Sequence, residues 1–85
     1  MTREHKQILV KLAAVMATLS ETTEPGGAVP ASSVYIGLGM DLEMYNTLVA
    51  VGSRMGWLTL TTETVGLTPA GRKQAEKFAV AFLQG

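Results

Sequence analysis

The sequence predicts a mainly α-helical domain with a small β-hairpin: a three-helix core, a two-stranded flap and a C-terminal helix that closes the unit. Three observations carry this. Apolar residues recur at helical spacing through residues 2–19 and again through 42–55; "WLTLTTETVGLT" alternates apolar with polar residues; and "VGLTPAGRKQAEKF" passes from a short strand through Thr-Pro straight into a charged helix. With 85 residues the chain has material for one core, so a single domain over 1–85 is expected.

The first helix is expected over 2–19, where Ile8, Leu12, Val15 and Leu19 recur about one turn apart and Leu9 and Met16 stand beside them. Its other side carries Val10, Ala13, Ala14 and Ala17, where a monomer ordinarily shows charge. Two readings fit that side: alanine as a good helix former, or a homodimer seam at which a second backbone comes close. In the seam reading, Val80 and Leu83 of the last helix complete the contact.

Residues 20–29 read as a loop, because Glu24-Pro25-Gly26-Gly27 combines a fixed φ with glycines that tolerate positive φ. Pro30 suits the first position of a short helix over 30–38, in which Val34, Tyr35 and Leu38 share a side before Gly37 and Gly39 stop it. Asp41 is an N-cap for a helix over 42–55, with Met40 at hydrophobic-staple spacing from Tyr45. Met44, Leu48, Val51 and Met55 give that helix its apolar stripe, flanked by Tyr45 and Gly52. Gly56 fits a left-handed C′ position, from which Trp57 folds back over the last turn. Two helices separated by Gly39-Met40-Asp41 make a helix-turn-helix arrangement.

In the hairpin, 57–68, Leu58 and Leu60 point inward, Val65 and Leu67 repeat that set on the return, and Thr62-Glu63-Thr64 form the tip. Thr68 caps the last helix, 69–83, with Pro69 at its first position, where a missing N–H is no loss. Ala75, Phe78, Ala79 and Phe82 share one face of it, widened by Val80 and Leu83.

This order is that of a winged helix-turn-helix, and two stretches carry the resemblance. "MGWLTLTTETVGLTPAGRKQAEKF" resembles the helix end, wing and "LT-x-x-G-R" joint of bacterial winged-helix regulators of the multiple-antibiotic-resistance type. "VPASSVYIGLGMDLEMYNTLVAVGSRMGW" is similar to the helix pair that precedes them, so the resemblance covers residues 29–78. It implies a small stand-alone member that binds duplex DNA as a regulator or accessory of transcription, with the second helix of the pair in the major groove and the wing beside the backbone. The groove-facing positions it implies lie opposite the apolar stripe: Glu43, Asn46, Thr47, Ala50 and Arg54. Asn46 suits an adenine edge, Thr47 a thymine methyl, and Arg54 a guanine or a phosphate. Arg72 and Lys73, at the start of the last helix, are the further DNA-binding candidates.

Charge raises a second reading. Between Pro30 and Glu63 the one basic residue, Arg54, stands against Asp41, Glu43 and Glu63, whereas affinity for DNA comes largely from Lys and Arg at phosphates. The remaining positive charge lies on the outer helices, at Arg3, Lys6, Lys11, Arg72, Lys73 and Lys77. The alternative is a winged-helix protein–protein interaction module without DNA contact, similar to small phage or mobile-element proteins.

Catalysis is not expected. The chain has no cysteine and a single histidine, His5, which leaves no thiolate, no disulfide framework and no ordinary zinc ligand set. Glu21 and Glu24 sit in the polar loop, and "GLG" at Gly37 to Gly39 lacks the rest of a dinucleotide fingerprint. No cofactor or metal is expected. The apolar run "ILVKLAAVMATL" is interrupted by Lys11, lacks a following small-residue cleavage site and is too short to cross a bilayer, so the expectation is a cytoplasmic protein without membrane contact.

Overall fold

In a computed structural model that describes the backbone of residues 3–83 and the side chains of 3–81, the chain forms four helices and one three-stranded antiparallel sheet. The elements are α1 (Arg3–Thr22), β1 (Ala28–Pro30), α2 (Ala31–Gly37), α3 (Leu42–Arg54), β2 (Leu58–Leu60), β3 (Thr64–Leu67) and α4 (Pro69–Leu83). Thr2, the expected start of the first helix, and the side chains of Phe82 and Leu83 lie outside the described residues.

Helix α1 runs on to Thr22, past the end expected at Leu19. Its late threonines serve their own hydroxyls inside the helix: Thr18 Oγ1 donates to the Ala14 carbonyl at 3.0 Å and Thr22 Oγ1 to the Thr18 carbonyl at 2.7 Å. Back-bonding of this kind satisfies the hydroxyls without a partner outside the helix. The buried side of α1 is Leu12, Val15, Met16 and Leu19, each 0% exposed.

The expected loop over 20–29 and the two-stranded flap both need correction. A turn does occupy Pro25 and Gly26, and the Gly27 amide closes it on the Glu24 carbonyl at 2.8 Å. Strand β1 then begins at Ala28 and pairs with β3 in the register Ala28↔Gly66, Val29↔Val65, Pro30↔Thr64. Strand β2 pairs with the other side of β3, through Leu58↔Leu67, Thr59↔Gly66 and Leu60↔Val65, so β3 is central. Pro30 also departs from expectation: it is the N-cap of α2, with φ −57° and ψ 134°, and not its first helical residue. An edge strand tolerates a proline that has no amide to donate.

Helices α2 and α3 end in the same way. The Gly39 amide donates to the Ile36 carbonyl and the Met40 amide to the Tyr35 carbonyl; the Gly56 amide donates to the Ser53 carbonyl and the Trp57 amide to the Gly52 carbonyl, all at 2.8–3.0 Å. Both are Schellman closures around a left-handed glycine, φ 65° at Gly39 and 78° at Gly56. After the first closure the Asp41 carboxylate caps α3 by accepting the Met44 amide at 2.7 Å. The link between α2 and α3 is thereby fixed at both ends.

Helix α3 is rotated from its expected stripe. Tyr45, Leu48, Val49 and Gly52 are its buried residues, Met44 and Val51 are half-buried, and Met55 is 55% exposed. The cause lies at Gly52, where a Cβ would collide with the Leu58 side chain. Its absence lets β2 settle on that side of the helix and draws Tyr45 and Val49 inward. One shared core results, in which Leu12, Val15, Met16, Leu19, Val34, Leu48, Leu58, Val65, Leu67 and Ala75 meet. Phe78 is half-buried against it.

The joint to α4 is held by Thr68. Its hydroxyl donates to the Gly56 carbonyl at 2.6 Å and accepts the Gly71 amide at 2.9 Å, capping α4 while tying it to the end of α3. A Cβ at position 71 would run into the Trp57 carbonyl. Trp57 and Phe78 complete the joint edge to face, with ring centroids 5.5 Å apart at 87°.

Candidate functional site

The exposed face of α3 follows from the burial of the other. With Tyr45, Leu48, Val49 and Gly52 in the core, helical spacing turns Glu43, Asn46, Thr47, Ala50 and Arg54 outward, and all five are exposed. The Thr47 hydroxyl donates to the Glu43 carbonyl at 3.1 Å, so its oxygen is engaged within the helix. Asn46, Thr47, Ala50 and Arg54 are thus brought onto one surface.

The two basic candidates on α4 differ. Lys73 is exposed. Arg72 is half-buried, and its Nη2 donates to the Thr23 carbonyl at 2.8 Å and the Thr23 hydroxyl at 3.0 Å. Its Nε is buried with no acceptor among the described residues. Arg72 therefore ties α4 to the chain leaving α1 and is committed to the fold before any ligand arrives.

The small-residue side of α1 is largely used within the chain. Ala13 and Ala17 are half-buried and, with Val10 and Ala14, line a shallow groove shared with Ala75, Phe78 and Ala79 of α4. Helices α1 and α4 make the most extensive contact between any two elements. Ala14 remains exposed, as do Val10 at 42% and Val80 at 60%. Leu83, the last residue of the expected seam, has its side chain outside the described residues.

A second feature was not foreseen from the sequence. The start of α2, the outer edge of α3 and the hairpin tip enclose a cleft of ≈500 Å³. Tyr35, Leu42, Asn46 and Val49 line it from the helices, and Leu60 and Glu63 from the hairpin. Leu60, expected to point inward, is 41% exposed at the end of β2 nearest the hairpin tip, while its cross-strand partner Val65 is buried. Tyr45 closes the floor against Tyr35, with ring centroids 5.2 Å apart. Burial raises the Tyr45 phenol above its ordinary pKa, and Tyr35 adds to the effect. The one sequence signal for this cleft is Leu42, an apolar residue just after the N-cap and off the buried stripe.

Among the described residues, no three His, Asp or Glu side chains gather as a metal site, and no helix is long and apolar enough to cross a membrane. Comparisons with protein-family models, curated proteins and solved structures give no match. The functional reading rests on the fold and on these surfaces.

Proposed function

We propose that the chain is a small winged helix-turn-helix protein that binds duplex DNA, as a non-catalytic regulator or accessory of transcription. In this reading α3 enters the major groove and the β2–β3 hairpin is the wing. The observation that supports it best is the outward face of α3, with Asn46, Thr47, Ala50 and Arg54 on the second helix of a pair whose link is fixed by the Gly39 closure and the Asp41 cap. Asn46 and Arg54 supply base-edge or phosphate contacts, and Lys73 a peripheral phosphate contact. Arg72 contributes by holding α4 in place. A homodimer through the exposed parts of α1 and α4, at Val10, Ala14 and Val80, belongs to the same reading, since paired helices of this kind read two half-sites.

The test is fluorescence anisotropy of a labelled random duplex, begun at low salt. Binding that weakens as salt rises is expected, with the slope of log K against log salt reduced by about one in Arg54→Ala. No binding at low salt, even at high protein concentration, overturns the reading. Sedimentation over a range of concentrations decides the dimer; a monomer throughout removes it.

One observation favours a protein partner instead of DNA. Between Pro30 and Glu63 the sequence carries three acids and a single arginine, and among the described residues the cleft beside α3 is lined by Glu63 and by no basic residue.

A further inference from the structure

The cleft between hairpin tip, α2 and α3 has a composition that DNA binding does not use. Leu42 is 53% exposed on its α3 wall and Leu60 41% exposed on its β2 wall. Two leucines held in water by different elements around one cavity leave apolar area for a partner to cover. Among the described residues, Glu63 is the only charged one lining the cavity. Asp41 and Glu43 flank Leu42 in the sequence, so the surrounding segment is acidic too. A phosphate or carboxylate ligand would find no cation there. A segment carrying a cation finds a carboxylate beside apolar carbon, with the Asn46 amide on the rim for its backbone.

We propose that this cleft docks a segment of a partner protein in which a lysine or arginine is flanked by aliphatic side chains. The aliphatic groups cover Leu42 and Leu60, and the cation pairs with the Glu63 carboxylate. Ordinary binding surfaces divide the work in this way, with apolar contact supplying affinity and complementary charge selecting the partner. The assignment stands apart from the DNA reading, and because Asn46 belongs to both surfaces, the two occupants exclude each other there.

The experiment titrates the isotope-labelled full chain with a synthetic peptide of alternating arginine and leucine, observed by amide NMR. Two controls replace arginine by glutamate or leucine by serine. Saturable shifts centred on Asn46 and on Leu60 to Thr64 are expected from the first peptide only. Binding should weaken about tenfold or more in Glu63→Lys and also in Leu42→Ser, two exposed positions whose variants keep the wild-type pattern of distant core resonances. Equal binding of the glutamate peptide, indifference to Glu63→Lys, or no saturable shift would overturn the proposal. So would concentration-dependent shifts of the same resonances without peptide, which would make the occupant a second copy. Duplex DNA also reaches Asn46, so Leu42→Ser separates the two ligands: it should weaken the peptide and leave duplex binding unchanged, and an equal loss of both would hand the cleft to nucleic acid.

Discussion

At the scale of single residues, the joint between hairpin and α4 depends on what position 71 lacks. The Trp57 carbonyl occupies the space a Cβ would need, and the neighbouring atom is rigid backbone. Gly71→Ala should therefore destabilise the fold by about 1–3 kcal/mol, the usual range for forced overpacking, seen as a lower urea midpoint with an unchanged slope. Tyr45 makes a prediction in pH. Its folded pKa lies above the unfolded value, so near and above pH ~10 the native state keeps a proton that the unfolded chain releases. The associated stability is complete below that pH and declines as pH rises beyond it. Tyr45→Phe should flatten the decline, as urea midpoints measured up the alkaline limb will show.

Among elements, the capping contacts set the geometry on which the α3 face depends. Asp41→Ala removes the acceptor for the Met44 amide and should cost about 1 kcal/mol, while Asp41→Asn should retain most of the cap. Thermal or urea unfolding measures both. Local signals of this kind are what made the helices legible: an N-cap, a left-handed glycine at Gly56, Thr68 before Pro69, and apolar spacing in α1. Strand β1 was hidden for a physical reason. Ala28–Pro30 has no alternating pattern of its own and is ordered by β3, a partner more than thirty residues away across the register Ala28↔Gly66. The rotation of α3 was hidden likewise, because it depends on Leu58 packing over Gly52. The α3 face could be read by subtraction from an apolar stripe, and it tolerated the error in rotation because Asn46, Thr47, Ala50 and Arg54 stay outward in either setting. Arg72 could not be read, since nothing in "TPAGR" reports a bond to Thr23. The cleft needs three separate elements to exist at all.

For the whole molecule, seven basic and seven acidic residues cancel, yet they are unevenly placed, with the acids outnumbering the base around α3 and the hairpin. Glu63→Lys then gives opposite signs for the two proposed ligands: it should strengthen duplex binding, by adding a phosphate contact, and weaken binding of the arginine–leucine peptide. Anisotropy with each ligand checks the pair of outcomes. The joint described above has a practical result as well. Trp57 is the sole indole of the chain, half-buried beside Phe78 where the end of one helix, the foot of the hairpin and the start of another converge. Its fluorescence is a label-free gauge of that junction: separation of the last helix from the hairpin would bring water to the indole and shift emission to longer wavelength.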